Sequence, residues 1–281
     1  MSFIAILGAG AIGGALAQRL AARDRVADIR LIDADVLIAQ GKALDVLQSS
    51  ALDAFGTRLS ATDRLAAAAG AAVVLVADTA RGNAEHSGES GLALVRHLTE
   101  MEGSAPLVFA GASQRRLMEL VHAELDVPAH RLVGSAPAAL ESSVRALTAL
   151  ECDGTGVDVQ VRVLGVPPRG AVIAWEEGTV AGQPIAAVVA PHRLAAISAR
   201  LPGLWPPGPL ALASAAARTA DAIVNGSRRD LTCFVSLPDP PNRGKVAAMP
   251  ARLGPRGIER LPRPALTRQE QTHLENGIAL S

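Results

Sequence analysis

Apolar and polar positions change period twice along this chain. Phe3 to Leu7 is an unbroken apolar run ended by glycine, as in a strand buried on both faces. An alanine-rich helical stretch follows, and a second apolar strand, Ile29 to Ile32, stops at an acid, Asp33. The pattern next predicts an amphipathic helix over Gly41 to Leu52. The apolar run from Leu65 then reads as a helix end leading into a buried strand over Ala72 to Ala77. A helix around Leu92 to Met101, a strand over Leu107 to Ala110, a helix over Gln114 to Leu125 and a short strand over Arg131 to Val133 complete this half. Such alternation implies an α/β fold, a doubly wound parallel sheet with helices on both faces. Its ligands lie across the carboxyl ends of the strands.

In the second half the period shortens to two. Val157 to Leu164 and Gly170 to Trp175 alternate strictly and predict antiparallel strands. Leu210 to Val224 reads as a long alanine-rich helix, and proline and glycine punctuate Leu237 to Pro264. A last helix begins at Thr267, where Thr267 and Glu270 have capping-box spacing. There is no internal repeat.

Candidate chemistry concentrates at the first turn. Gly8-Ala9-Gly10-Ala11-Ile12-Gly13 joins the first strand to its helix. In a dinucleotide site Gly8 lets the strand turn, Gly10 lets backbone approach a pyrophosphate, and Gly13 lets the helix pack on the strand. The free N–H groups at the helix start, those of Ala11 and Ile12 among them, then face the phosphates. Asp33 follows Gly13 at the spacing of a carboxylate that bonds a ribose hydroxyl. A carboxylate there repels a 2′-phosphate, so NAD is expected rather than NADP.

The totals narrow the function classes. With 27 basic and 27 acidic residues the chain is neutral, which gives no electrostatic case for nucleic acid or an anionic membrane. Apolar residues make up 49%, enough for a large core, and tyrosine is absent, so that core is built from small aliphatics. No basic region precedes the first strand, so no signal peptide is expected, and the longest apolar run is too short to span a bilayer. Cys152 and Cys233 cannot form a disulfide framework and read as reduced thiols of a cytoplasmic protein. No cluster of histidine, cysteine and acids has metal-ligand spacing.

In this order of elements the chain resembles the NAD-dependent malate and lactate dehydrogenases along nearly its full length. The matching stretches are GAGAIGGALA, LIDAD…GKALDVLQ, VVLVADTAR, GESGLALV, RLVGSAPAALESSVR, VRVLGVPPRGAVIAW…VAGQPI, ALASAAARTADAIV and GIERL…LTRQEQ. The resemblance implies a Rossmann dinucleotide-binding domain over residues 1–135 and an α+β catalytic-type domain over 136–281. It also implies a small hydroxy or oxo acid substrate and a homodimer or homotetramer.

Departures from the family fall on its chemistry. The family's proton-transferring histidine corresponds to Pro167, and the aspartate that orients it to Glu141. The substrate-polarising arginine of the mobile loop corresponds to Gly91, and the carboxylate-clamping arginine to Val144, with Arg145 one residue on as a weaker candidate. The N-P-V-D strand end corresponds to Gly111-Ala112-Ser113-Gln114. Asp78 replaces a small residue near the pyrophosphate; either it points away or a bound dinucleotide is displaced there.

Other weak catalytic candidates are His86 in the loop before Gly91, Arg81 in the same loop, which matches a family arginine, and Arg169, expected to form a static pair with Glu141. His97, His122, His130, His192 and His273 read as structural. Two readings stay open: an NAD-dependent oxidoreductase with an eroded site, and a non-catalytic NAD-binding sensor or assembly partner on the same fold.

Overall fold

The computed structural model describes residues 2–101 and 103–281. Strand β1 (Phe3–Leu7) leads through the glycine turn into helix α1 (Ala11–Arg23), and β2 (Asp28–Ile32) ends at Asp33. Helix α2 (Val36–Asp53) starts well before the predicted Gly41, because Asp35 caps it through the Ile38 N–H. β3 (Arg58–Thr62) was not predicted: its RLSAT sequence has exposed polar positions, and it is an edge strand paired only with β2. The apolar run from Leu65 forms one 3₁₀ turn (Leu65–Ala68) before β4 (Val73–Val76). Then come α3 (Gly88–Met101), β5 (Leu107–Phe109), α4 (Arg115–Glu124), β6 (Leu132–Gly134) and α5 (Ala136–Leu150).

The antiparallel prediction also holds. β7 (Val159–Val166) and β8 (Gly170–Val180) form a hairpin, followed by β9 (Gln183–Pro184), α6 (Ile185–Val188), α7 (Pro191–Arg200) and α8 (Pro209–Asn225). The proline- and glycine-punctuated stretch holds more structure than its composition suggests. It contains all of β11 (Val246–Gly254) and β12 (Gly257–Arg260), after β10 (Leu231–Ser236). Pro250 is tolerated within β11, although a central strand usually excludes proline. α9 (Arg268–Ala279) starts with the predicted reciprocal cap between Thr267 and Glu270.

One sheet runs through the molecule in the order β3-β2-β1-β4-β5-β6-β10-β11-β7-β8-β9, with β12 beside β11. The first six strands pair in parallel, the doubly wound arrangement expected. The main core is continuous from β1 through α8, β10 and β11, so elements from both ends of the chain share it. A second cluster gathers α5, β7 and α7 around Val144, Val159 and Ile197. Among the described residues no helix is long and apolar enough to cross a membrane. The fold thus leaves the carboxyl ends of β1, β2, β4 and β5 facing one cleft, closed on its open side by the loop from Asp78 to Gly88.

Candidate functional site

The cleft is built on the glycine turn. Gly8 has φ +101° and hands its N–H to Ile32 O, 2.8 Å away, which ties β1 to β2 at the point where the chain reverses. Gly13 meets this turn so closely that a Cβ there would lie 2.0 Å from Gly8 O. The expectation that glycine lets the helix pack on the strand is met in this contact.

Asp33 closes β2 almost fully buried, 8% exposed. Its carboxylate accepts from Ala9 N at 2.9 Å, Ala80 N at 2.7 Å and Asp35 N at 2.9 Å. Three of its roughly four acceptor positions are thereby used, leaving one for a hydroxyl. Beside it lies a cavity of about 770 Å³, walled by Leu7, Ile32, Leu65 and Leu94 and edged by Asp33, Asp63 and His86. An apolar slot with an acid at its floor suits a purine and its ribose.

At the pyrophosphate position the residues present do not fit the group. Asp78 does not point away: it is buried, and its two carboxylate oxygens accept from Ile12 N at 3.0 Å and Gly13 N at 2.9 Å. These are the helix-start donors assigned above to phosphate. A Cβ on Gly10 would stand 2.4 Å from the Asp78 carboxyl carbon, so the space beside Gly10 is filled by this side chain. Ala11 lies at the rim with Lys42, whose ammonium donates to Gly10 O at 2.7 Å.

A second carboxylate repeats the device further along the cleft. Glu85 accepts from Ala112 N at 2.9 Å, Ser113 N at 2.7 Å and Ser113 Oγ at 2.5 Å, and a Cβ on Gly111 would lie 2.3 Å from it. Gln114, fully buried, takes the Gly111 N–H at 2.8 Å and donates to Ala77 O at 3.1 Å and His86 O at 3.2 Å. Glu85 was not singled out from the sequence, and Gln114 only as the last position of the stretch matching the family's N-P-V-D strand end. The available signal was an acid in a loop facing the amide-rich turn Gly111-Ala112-Ser113.

Of the weak catalytic candidates only His86 and Arg81 border the Asp33 cavity. Arg81 is exposed and holds Asp35 through Nε and Nη2 at 3.2 and 2.7 Å, which lowers the Asp35 carboxyl below its ordinary value. Burial lowers the His86 imidazole below its ordinary 6.5, against the opposing pull of the Asp33 and Asp78 charges. The folded protein therefore disfavours proton uptake at His86. Stability is complete above 6.5 and declines as pH falls from there through the lowered folded value. The melting temperature of His86→Gln should be less pH-dependent across that window than that of the parent; equal slopes would place the imidazole in solvent.

Glu141 and Arg169 do not pair, which corrects the expected salt bridge. Arg169 is exposed in the β7–β8 turn, near His273 and Gly277 of α9. The Glu141 carboxylate takes the Thr232 hydroxyl at 2.5 Å, and burial raises its pKa against the pull of Arg162, Arg145 and Arg218. Arg145 donates to Gly156 O at 3.2 Å and lines, with Glu141, a cavity of about 600 Å³ that is separate from the Asp33 cleft. Pro167 is buried and lines a cavity beside α9, Val144 lies fully buried in the second core, and Gly91 is packed with its Cβ position 3.0 Å from Leu117 Cδ2. The expected structural histidines include His122, whose Nδ1 meets Val127 O at 3.0 Å.

The family described as lactate/malate dehydrogenase, NAD binding domain, matches residues 3–100. A malate dehydrogenase of Chloroherpeton thalassium is 27% identical over 279 residues, 92% of this chain and 89% of that protein. One from Thermomicrobium roseum is 28% identical over 96% of this chain and 93% of its own. Among solved structures, the lactate dehydrogenase of Cryptosporidium parvum, complexed with lactic acid and nicotinamide adenine dinucleotide, superposes with a TM-score of 0.88 at 21% identity. It covers 99% of this chain and 95% of its own. Malate dehydrogenase from Salinibacter ruber gives the same TM-score and identity, over 99% of this chain and 94% of its own.

Proposed function

We propose that the chain, whose residues 3–100 match the lactate/malate dehydrogenase NAD binding domain, is an NAD(H)-binding oxidoreductase of that family with an eroded catalytic site, so that its hydroxy or oxo acid turnover is weak or absent. The carrying observation is Pro167, buried at a cavity beside α9 and absent from the lining of the Asp33 cavity, where the resemblance calls for a titratable imidazole. General acid–base help contributes about 10²- to 10⁴-fold, so its loss alone costs about 3 to 5 kcal/mol of barrier. The groups at 91, 144 and 111–114 are spent on packing and internal hydrogen bonds.

His86, at the cavity edge, is the remaining proton carrier, and burial holds it neutral at pH 7. It suits a base more than an acid. We assign residues 1–135 to cofactor binding and 136–281 to the substrate side of a cytoplasmic homodimer or homotetramer. The second reading, an NAD-responsive protein without turnover, is favoured by the Glu85–Gln114 network across the region meant for reacting groups.

The test is a panel of 2-oxo and 2-hydroxy acids with NADH or NAD, followed by coenzyme absorbance and, in parallel, thermal protection by the coenzyme. Protection without turnover supports the second reading; turnover abolished by His86→Ala supports the first. The double variant Pro167→His, Gly91→Arg is expected to stay inactive and to lose stability, since an arginine at 91 meets Leu117 and overpacking costs about 1 to 3 kcal/mol. Recovered malate turnover in that variant would defeat the proposal.

A further inference from the structure

The two carboxylates of the 78–88 loop point to a property of the cleft that goes beyond the lost catalytic groups. We propose that Asp78 is an internal stand-in for phosphate, and that a dinucleotide binds only when the loop lifts and surrenders the Asp78 and Glu85 caps. The proposal rests on the NAD-binding reading above and assigns Asp78 as the residue that limits cofactor affinity.

Three observations carry it. First, Asp78 satisfies two of the donors at the start of α1, those of Ile12 and Gly13, each of its oxygens taking one N–H at 2.9 to 3.0 Å. A helix start attracts anionic oxygens, and a resident carboxylate competes for it without the entropy cost that a free ligand meets on association. Second, the loop is one body. Asp78 and Glu85 form an antiparallel bridge, and Thr79 N donates to Ala84 O at 2.8 Å. Removing Asp78 from the turn therefore pulls Glu85 from Ala112 and Ser113. Third, the loop has a way out. Gly82 and Gly88, with φ +81° and +57°, have open space where a Cβ would stand. The loop is held by the Asp78 and Glu85 caps, by the Ala80 N–H on the Asp33 carboxylate, by Ser113 Oγ on Glu85 and Gln114 Nε2 on His86 O, and by the exposed Arg81–Asp35 pair. All of them are hydrogen bonds or ion pairs that water can replace.

A diphosphate entering this turn meets a buried carboxylate of its own sign, and it must repay the hydrogen bonds of both caps. The cavity beside Asp33 lies outside the filled space and stays open to the nucleoside end. The cleft as folded accepts that end and rejects the phosphates next to it.

The experiment compares the full-length parent, Asp78→Ala and Asp78→Asn by NADH fluorescence titration, and by thermal melting with and without inorganic pyrophosphate. Asp78→Ala is expected to bind NADH at least about tenfold more tightly than the parent. Without ligand it should melt several degrees lower, having lost the cap of α1. Pyrophosphate should raise its melting temperature and leave the parent unchanged. Asp78→Asn keeps one accepting oxygen without the charge, and should fall between the two in both measurements. It carries the test if Asp78→Ala does not fold.

If parent and variants bind NADH equally tightly, the stand-in role is wrong and the NAD reading survives. If pyrophosphate stabilises Asp78→Ala while NADH binds neither form, the stand-in role survives and the NAD reading falls. If neither ligand acts on either variant, both are wrong.

Discussion

Gly13→Ala is expected to destabilise the protein by about 4 kcal/mol or more, among the largest single-residue effects available to this fold. The Cβ it adds would stand 2.0 Å from Gly8 O and 2.9 Å from Gly8 C. Both are backbone atoms, so no side chain can turn aside. Relief requires α1 to back away from the glycine turn. That helix is packed closely against α8 through small residues, with Ala213, Ala216, Ala217 and Ala220 fully buried, so a displacement of α1 opens the main core. The adjacent position is the control. A Cβ on Gly14 meets only the flexible Lys42 side chain, 3.1 Å from its Cδ. Within a helix, alanine is favoured over glycine by about 1 kcal/mol, so Gly14→Ala should lie within about that margin of the parent. Urea unfolding of the two variants measures the contrast; equal stabilities would mean the helix start is not seated against the turn.

The parallel half of the fold was legible because its strands are buried on both faces and its glycines sit where backbone meets backbone. β1 and β4 are continuous apolar runs that no other element suits, and β2 (DIRLI) keeps Ile29, Leu31 and Ile32 buried around the half-buried Arg30. β3 escaped notice because an edge strand has neither a second buried face nor a strict alternation. β11 and β12 were masked by glycine and proline, residues that ordinarily end strands, and their positions come from pairing with β10 and with each other. At the site, Asp33 and the glycines were readable because each function demands one residue type at one spacing. Asp78 was noticed as an unwelcome charge, but its direction was not readable. A carboxylate can cap a helix start 65 residues away in sequence, and no local pattern records that. Glu85, Gln114 and Lys42 belong to the same class: their partners lie 27, 37 and 32 residues off. The Arg169–Glu141 pairing failed for a related reason, since the turn that carries Arg169 is directed at α9 while Glu141 faces Thr232 on β10.

Gln114→Ala should cost about 3 to 4 kcal/mol and leave coenzyme affinity little changed if the site is an internal network. The side chain is fully buried and answers three backbone groups. Ala77 O keeps the His86 N–H at 3.3 Å, so the truncation orphans chiefly Gly111 N and His86 O, each at about 1 to 3 kcal/mol, and leaves a void besides. Gln114→Glu separates hydrogen bonding from packing, because it preserves shape. An ionised carboxylate there can accept from Gly111 N but confronts Ala77 O and His86 O with charge where a donor is needed. The protonated form can donate to one of them. Folding then favours the protonated form and raises the introduced carboxyl's pKa, so its stability is greatest below the ordinary carboxylate range and lost as pH rises. Melting curves for Gln114→Glu should approach the parent at acid pH and fall away from it towards neutrality, while the Gln114→Ala deficit stays nearly constant. A Gln114→Ala protein as stable as the parent but weaker for coenzyme would place the amide on the ligand instead, and would return this end of the cleft to binding.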